Sequence, residues 1–292
     1  MKIEEGVSLA RYTTIGTGGP ATALAQPASL DDLDEAFAWA RERGLPVAAV
    51  GLGSNLLVAD EGVDALVLRL SGTLATVETE DSMLVAGGGA TNAVCLHRAR
   101  AAGLGGLEFA CAIPGTVGGG VWMNAGAYGS DWAAILARAL IVDEEGPRWQ
   151  TSAELGLRYR HSDLQHGQVV ARVEFRLERR PIDEIKAIVA DLQRQRKDAQ
   201  PTNKRTYGSV FKNPDHDLSA GRMLEACGLK GYRIGGALIS PRHANFIENA
   251  DGARSADAVA LMAEARRRAY ERFGVGLEHE VEFLGDLDLP PL

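Results

Sequence analysis

The chain has 292 residues, of which 46% are hydrophobic and 24% charged, and its formal net charge is −8. This length and composition are typical of a folded protein of about two domains and exclude a disordered chain. The acidic balance argues against nucleic acid or an anionic membrane surface as the main partner.

The rarer residue types and the N-terminus narrow the class further. Cys95, Cys111 and Cys227 are odd in number and far apart, which excludes a disulfide framework and indicates a reducing compartment. The histidines show neither HxxxH nor HExxH spacing, so no metal site is predicted. The N-terminus lacks the apolar core of a signal peptide, and no apolar run reaches about 18 residues. We therefore expect a cytoplasmic protein that does not associate with membranes.

The first half of the chain alternates predicted strands and helices. A short strand at 22–26 precedes a helix that begins at an N-cap, Ser29, and ends at Gly44. Strands follow at 47–51, within "ALVLRL" and "MLVAGG", and at 139–143, with a helix from about 91 to 102 between the last two. The early strand–helix–strand grouping indicates an α/β region. The later strands are too closely spaced for a Rossmann repeat.

The stretch "QVVARVEFRLERR", residues 168–180, alternates as a half-buried strand, with Val173, Phe175 and Leu177 on the inner face. A helix follows from Pro181 to about Lys197, and we place the domain boundary near its end. Beyond the boundary the pattern predicts a short helix around residue 223 and short strands in "GGALIS" and "ANFIEN".

Two further elements are predicted near the C-terminus. A long helix runs from Ser255, its own N-cap, to Phe273 and stops at Gly274. The last element, "GLEHEVEFLG" at 276–285, is predicted to be a single strand with His279 on the inner face. Three glutamates occupy its outer face, and the periodicity does not distinguish among them.

Two glycine-rich stretches dominate the first 130 residues. "VGLGSNLLV", residues 50–58, places Ser54 and Asn55 in a tight turn after a strand, where backbone N–H groups can face a phosphate. A plain hairpin turn explains this stretch equally well, because it is neither GxGxxG nor a Walker loop. "IPGTVGGGVWMNAGAYG", residues 113–129, is too rich in glycine to be a regular helix or strand and too apolar for a solvated linker. Either it is an irregular packed loop, or one large cofactor lies close to both stretches.

Two later stretches stay ambiguous on local grounds. In "YGSVFKNP", residues 207–214, Ser209 is either a turn hydroxyl or a reactive group, and there is no GxSxG elbow to mark it as an acyl nucleophile. The basic residues between 194 and 205 form either a solvated helix end or a phosphate clamp.

Six ordered motifs resemble one family, the UDP-N-acetylenolpyruvoylglucosamine reductases (MurB). They are "TIGTGGPA", "GLGSNLLV", "EFACAIPGTVGGGVWMNAGAYG", "YRHS", "GSVFKNP" and "LEHEVEFLG", and the match runs from about residue 13 to 285. The resemblance implies an α+β protein. Residues 1–198, with a core at about 14–180, would form an FAD-binding domain of the vanillyl-alcohol-oxidase (PCMH) type in two α/β lobes. Residues 199–292 would form a smaller C-terminal α+β substrate domain. The short separation of "YRHS" from "GSVFKNP" resembles the subtype without the extra substrate loop.

The resemblance also implies the chemistry. FAD is the bound cofactor, NADPH the co-substrate, and UDP-N-acetylglucosamine enolpyruvate the substrate of a cytoplasmic, monomeric enzyme of peptidoglycan precursor synthesis. Arg160 would pair with the substrate carboxylate, Ser209 would protonate C2 after hydride reaches C3, and Glu280 would assist. The family's glutamate–valine pattern selects Glu280 over Glu278 and Glu282.

The family's binding positions are carried over in the same way. For the cofactor they are Gly51, Gly53, Ser54, Asn55, Leu56, Pro114, Gly115, Thr116, Gly118, Gly119, Asn124, Ala125 and Gly126. For the substrate they are Tyr159, Lys197, Lys212 and Asn213.

The chain departs from the family pattern at two places. Leu52 stands where relatives often have glycine, so we expect it to tolerate a glycine-like backbone conformation. "RTYGS" replaces the frequent "SAGS", which puts Arg205 and Tyr207 beside the serine. Two other functions are compatible with parts of the pattern. One is an oxidase or dehydrogenase of the same flavoprotein superfamily, and the other is a nucleotide-binding regulatory protein that has lost the chemistry.

Overall fold

The computed structural model describes all 292 residues and has the mixed α+β composition that the sequence predicts. The helices are α1 (Leu30–Glu42), α2 (Asn92–Ala101), α3 (Val117–Trp122), α4 (Ile182–Ala199), α5 (Ala220–Ala226) and α6 (Ser255–Phe273). The first ten strands are β1 (Ile3–Ser8), β2 (Pro20–Ala25), β3 (Val47–Ala49), β4 (Leu56–Val58), β5 (Val63–Leu68), β6 (Val77–Glu80), β7 (Met83–Gly87), β8 (Leu104–Gly105), β9 (Gly126–Ala127) and β10 (Ser130–Asp131). The remaining strands are β11 (Leu136–Asp143), β12 (Gly146–Thr151), β13 (Val169–Arg176), β14 (Glu178–Arg179), β15 (Thr206–Ser209), β16 (Arg233–Ile234), β17 (Ala237–Ile239), β18 (Phe246–Asn249) and β19 (Glu282–Leu284).

The chain forms two compact units, each assembled from separate segments. The first unit contains residues 1–5, 23–52 and 65–196. The second contains residues 6–22, 53–64 and 197–292. None of the helices is long and apolar enough to cross a membrane.

A five-stranded antiparallel sheet of order β12-β11-β13-β7-β6 forms the centre of the first unit. The predicted alternation of residues 168–180 is confirmed, because Val173, Phe175 and Leu177 are all buried. Trp132 is also fully buried, and its ring stacks on Phe175 at a centroid distance of 4.9 Å. Large apolar side chains of this sheet thus build the main core of the unit.

A second core cluster of the first unit lies around α1. The predicted cap is confirmed, because the Ser29 hydroxyl accepts a hydrogen bond from the Asp32 amide at 3.2 Å. Leu33, Phe37 and Ala40 share the buried face of the helix. They belong to one core cluster with residues of β3 and β5, which pair in parallel from Val47↔Leu66 to Ala49↔Leu68.

The glycine-rich segment corrects one expectation. Residues 117–122, "VGGGVW", form α3, although their glycine content predicted that no regular helix would form here. The Gly118 amide donates to the Gly88 carbonyl of a distant segment at 2.8 Å, and Thr116 caps this short helix by accepting a hydrogen bond from the Gly119 amide at 3.4 Å. The C-terminal end is tied down as well, because the Ala125 amide donates to the Gly120 carbonyl at 2.8 Å. Tertiary contacts thus outweigh the poor helix propensity of three consecutive glycines.

The second unit has a four-stranded sheet of order β15-β18-β17-β16. Its core combines Phe211 with Met223 of α5 and with Leu261 and Met262 of α6, all of which are buried. The predicted short helix around residue 223 and the long helix that ends at Phe273 are both present.

The start of α6 differs from the prediction. Ser255 is the first helical residue rather than the cap, and its hydroxyl donates to Thr17 at 2.8 Å. The Asp60 carboxylate accepts hydrogen bonds from the amides of Ser255 and Ala256, at 2.8 and 2.9 Å. A carboxylate distant in sequence therefore satisfies the exposed donors of this helix end, where it also complements the helix dipole.

The predicted strand at 276–285 is wrong in extent. Only Glu282–Leu284 forms a strand, β19, which pairs in parallel with β4. Leu277 and Val281 are buried as expected, but His279 is exposed and its ring stacks on Phe283 at 4.6 Å. The residues before β19 lack a continuous ladder because they bond instead to the segment after β15.

Candidate active site

The three consecutive glycines of α3 have different surroundings. A Cβ on Gly118 would lie 2.9 Å from the Gly88 carbonyl oxygen, and a Cβ on Gly120 would overlap the Trp132 indole. Gly119 is exposed, and its nearest neighbour would be the Thr116 hydroxyl at 3.6 Å. Close packing within the protein therefore explains Gly118 and Gly120. Only Gly119 has open space where a flat ligand can approach the backbone.

The two glycine-rich stretches meet within the first unit. A Cβ on Gly51 would overlap the Thr116 side chain, with the Thr116 methyl group at 3.1 Å. The start of the turn after β3 thus lies against the start of α3. Leu52, which follows Gly51, does not have a positive φ, so the glycine-like conformation expected for it is not required.

The turn that carries Arg160 has an unusual backbone and is held by the glycine-rich segment. Arg160 adopts φ +52°, a left-handed conformation that is uncommon outside glycine. Its guanidinium donates to the Gly126 carbonyl at 2.8 Å and lies 5.2 Å from the centre of the Tyr159 ring. The Ser162 hydroxyl donates to the Trp122 carbonyl at 2.6 Å. Several contacts therefore support this strained turn.

Asn124 connects the glycine-rich segment to the same turn. Its amide nitrogen donates to the Arg158 carbonyl at 3.0 Å and to the Asp131 carboxylate at 3.2 Å. Its carboxamide oxygen accepts from the Ala133 amide at 2.9 Å. Asn124 is itself buried, with φ +39°. The sequence predicts a cofactor contact at Asn124, and in the structure its side chain supports the turn that precedes Arg160.

Within the second unit, the backbones of the Ser209 and Glu280 segments are joined directly. Ser209 ends β15 and is paired with Phe246 of β18. The next residue, Val210, accepts a hydrogen bond from the Glu280 amide through its carbonyl at 2.8 Å. Phe211 forms an isolated bridge with His279. Two residues far apart in sequence, both predicted to be catalytic, thus lie on adjacent segments.

Asn55 is hydrogen-bonded to the backbone at Glu280 and at Glu282. Its side-chain nitrogen donates to the Glu280 carbonyl at 3.0 Å. Its main-chain carbonyl accepts from the Glu282 amide at 3.0 Å, and the next residue, Leu56, begins the strand that pairs with β19. The turn residue predicted to contact the cofactor therefore also fixes the backbone of the predicted catalytic glutamate.

The three candidate glutamates differ in environment. Glu278 has a side chain that is 79% exposed and forms an ion pair with Lys212 at 3.6 Å. Glu280 is half-buried and precedes β19, and Glu282 begins that strand. The structure thus distinguishes the three glutamates, which the alternating sequence pattern leaves equivalent.

The other predicted substrate residues lie on helix ends and connecting segments of the second unit. Lys197 is exposed near the end of α4. The Asn213 carboxamide oxygen accepts from the Ala220 amide at 3.2 Å, in the first turn of α5. No group of three or more His, Cys, Asp or Glu side chains is arranged to hold a metal ion.

Comparison with known proteins places these features in one family. The UDP-N-acetylenolpyruvoylglucosamine reductase C-terminal domain matches residues 200–284, and an FAD-binding domain matches residues 21–152. UDP-N-acetylenolpyruvoylglucosamine reductase 2 of Symbiobacterium thermophilum is 43% identical over 97% of this chain and 92% of its own length. The reductase of Anaeromyxobacter dehalogenans is 42% identical over 97% of this chain and 85% of its own length. The chain belongs to the UDP-N-acetylenolpyruvoylglucosamine reductase family.

A solved structure agrees with this assignment. The crystal structure of UDP-N-acetylenolpyruvylglucosamine reductase (MurB) from Thermus caldophilus has a TM-score of 0.86 and 38% identity, and the match covers 97% of this chain and 99% of that one. The predicted fold class, an FAD-binding domain of the PCMH type followed by a reductase C-terminal domain, is confirmed. The length of 292 residues is consistent with the shorter subtype.

Membership of the MurB family makes the chain an FAD-binding oxidoreductase of peptidoglycan precursor synthesis. The first unit fits the cofactor in one specific respect. The open backbone face at Gly119 lies next to the capping residue Thr116, and Thr116 is in contact with Gly51 of the other glycine-rich stretch. Residues of both stretches are thus together, and the backbone at Gly119 is open to close approach by a ligand.

Proposed function

We propose that the chain reduces UDP-N-acetylglucosamine enolpyruvate to UDP-N-acetylmuramate with NADPH, through Arg160, Ser209 and Glu280. Membership of the reductase family, at 43% identity over 97% of the chain, is the observation that carries this proposal. All three residues are present in the motifs "YRHS", "GSVFKNP" and "LEHEVEFLG".

FAD, held by the glycine-rich stretches, would supply the hydride, obtained from NADPH, that C3 of the enolpyruvyl group receives. Negative charge then develops at C2 and is delocalised into the substrate carboxylate. The planar guanidinium of Arg160 suits that carboxylate, because its fixed fork of donors can bind both oxygens as charge builds up. The hydrogen bond from the Arg160 guanidinium to the Gly126 carbonyl, at 2.8 Å, supports a fixed orientation for this role.

Ser209 supplies the proton that C2 needs. An alkanol is a weak acid, but the carbanion equivalent is far more basic, and transfer is fast once donor and acceptor are held in contact. The Ser209 oxygen then regains a proton from solvent. The direct hydrogen bond from the Glu280 amide to the Val210 carbonyl supports a joint role for Ser209 and Glu280.

We propose an FAD-binding domain at residues 1–198 and a substrate-binding domain at residues 199–292, with Tyr159 and Lys197 as substrate contacts contributed from before residue 199. The cofactor contacts are proposed for Gly51, Gly53–Leu56, Pro114–Thr116, Gly118, Gly119 and Asn124–Gly126. Tyr159, Lys197, Lys212 and Asn213 are proposed for the UDP-sugar. The three free cysteines support a reducing compartment, so we place the enzyme in the cytoplasm. We propose that it acts as a monomer.

An anaerobic titration tests the proposal. The purified protein should be yellow, and NADPH should bleach its flavin spectrum. Subsequent addition of UDP-N-acetylglucosamine enolpyruvate should restore the oxidised spectrum in stoichiometric amount. A colourless protein that cannot be reconstituted with FAD would contradict the proposal, as would reduced flavin that the enolpyruvyl substrate fails to reoxidise.

A further inference from the structure

Asn245 is a buried asparagine that the sequence analysis did not single out. It is 4% exposed and immediately precedes β18. Its carboxamide oxygen accepts a hydrogen bond from the Phe211 amide at 3.0 Å, and its carboxamide nitrogen donates to the Phe211 carbonyl at 2.8 Å. The side chain thus forms both of the bonds that a neighbouring peptide group would form.

The main chain of Asn245 extends the same contact. Its carbonyl accepts from the Val210 amide at 2.9 Å, and the Val210 carbonyl accepts from the Glu280 amide at 2.8 Å. All four main-chain polar groups of Val210 and Phe211 are therefore paired, three with Asn245 and one with Glu280. This network fixes the backbone that follows Ser209 and connects it to the Glu280 backbone.

The backbone before Ser209 is held differently. Gly208 has φ +88°, a conformation that side-chain-bearing residues rarely adopt. The pairing of β15 with β18 is irregular between Thr206 and Ser209. Because the ladder is interrupted on this side, the network after Ser209 is the more regular support of the backbone at this position.

We propose that Asn245 is a positioning residue for proton transfer by Ser209. It holds the Val210–Phe211 backbone so that the Ser209 hydroxyl keeps a fixed orientation relative to Glu280. This inference rests on the proposed function, in which Ser209 donates the proton. Displacement of a reacting group by about 1 Å can cost roughly 100-fold in rate, so loss of the Asn245 bonds should slow this step selectively.

The experiment compares the two half-reactions of the FAD-loaded enzyme by anaerobic stopped-flow absorbance. Asn245→Ala should leave reduction of the flavin by NADPH within about threefold of wild type. It should slow reoxidation by UDP-N-acetylglucosamine enolpyruvate roughly 10- to 100-fold. The limiting reoxidation rate at saturating substrate should fall. A rise in the substrate concentration that gives half of this rate is not sufficient.

Asn249 offers a matched control on the same strand. Its carboxamide nitrogen donates to the Ile15 carbonyl at 3.0 Å, and its oxygen accepts from the Ala253 amide at 2.9 Å. Asn249→Ala therefore also removes two side-chain bonds to backbone groups of the second unit. It should lower the melting temperature but slow both half-reactions equally or not at all. Equal ratios of the two half-reaction rates in Asn245→Ala and Asn249→Ala would overturn the inference.

If Asn245→Ala does not fold, Asn245→Asp replaces it in the comparison of the two half-reactions. It keeps the shape of the side chain and the acceptor for the Phe211 amide, and it removes the amide donor to the Phe211 carbonyl. Reoxidation should again be slower than in wild type, and unchanged reoxidation would refute the inference.

Ser209→Ala is measured alongside. If Ser209→Ala slows both half-reactions equally, the proposed role of Ser209 fails. If only Ser209→Ala is selective, the inference about Asn245 alone fails.

Discussion

The two units hold their proposed catalytic residues by different means. In the first unit Arg160 occupies a left-handed turn supported by Gly126 and by the buried carboxamide of Asn124. In the second unit Ser209 and Glu280 lie on extended segments whose backbones are hydrogen-bonded to each other and to asparagine side chains. A change in the glycine-rich segment should therefore affect flavin binding and Arg160 together. A change at Ser209 or Glu280 of the second unit should affect only reoxidation of the reduced flavin by the enolpyruvyl substrate.

The largest effect is expected for Ser209→Ala. Loss of the proton donor should slow reoxidation of the reduced enzyme by the enolpyruvyl substrate roughly 10²- to 10⁴-fold. Reduction by NADPH should be nearly unchanged, because the serine takes no part in it. Stopped-flow absorbance under anaerobic conditions measures both rates, and equal losses would indicate a structural serine.

Arg160→Lys examines the first unit. Lysine retains the charge but lacks the planar fork and the bond to the Gly126 carbonyl, so reoxidation should slow about 100-fold. Flavin content should not change, because the substitution leaves the glycine-rich segment intact. Flavin absorbance per protein measures this, and loss of FAD would mean that Arg160 supports the cofactor site rather than the substrate carboxylate.

Glu280→Gln and Glu278→Gln separate two neighbouring carboxylates of the second unit. We expect Glu280→Gln to slow reoxidation at least about tenfold, since the carboxyl group proposed to assist proton transfer is lost. Glu278 is exposed and paired with Lys212, so Glu278→Gln should change the same rate by less than about twofold. The opposite order in the half-reaction rates would reject the choice of Glu280.

Gly119→Ala and Gly120→Ala distinguish ligand contact from packing in the first unit. Gly120→Ala should destabilise the protein by about 1–3 kcal/mol, because the added methyl group overlaps the buried Trp132 ring. Gly119→Ala has room for its methyl group within the protein and should leave unfolding nearly unaffected. It should nevertheless weaken FAD binding. Thermal unfolding measures the stability, and FAD titration of the apoprotein measures the affinity for the cofactor. Unchanged FAD affinity in Gly119→Ala would indicate that the flavin does not contact α3.

The smallest effect is expected for Tyr207→Phe, two residues before Ser209. Tyr207 is fully buried, its hydroxyl has no hydrogen-bond partner, and burial raises the pKa of the phenol. Removing an unsatisfied buried hydroxyl should leave the free energy of unfolding unchanged or raise it by about 1 kcal/mol. Denaturant unfolding measures this, and clear destabilisation would point to a partner for the hydroxyl.

Local sequence patterns predicted much of the fold. The alternation of residues 168–180 and the capped helix after Ser29 were both confirmed, because each depends on side chains close together in sequence. The errors lie where distant segments decide the structure. Ser255 does not cap α6, whose first two amides donate to the distant Asp60 carboxylate, and the helix α3 forms despite three glycines. The last strand is short because the Glu280 amide bonds to Val210.

The sequence by itself determined the family, the FAD-binding class and the identity of the proposed catalytic side chains, because these are encoded in long ordered motifs. Only the tertiary structure assigned separate roles to Gly118, Gly119 and Gly120, and only it brought out the supports Asn124, Asn55 and Asn245. A carboxamide that replaces a peptide group bonds to backbone atoms, and any residue can supply those. The residue types of the bonded backbone segment therefore do not reveal the contact. The fold alone decides which backbone the asparagine contacts.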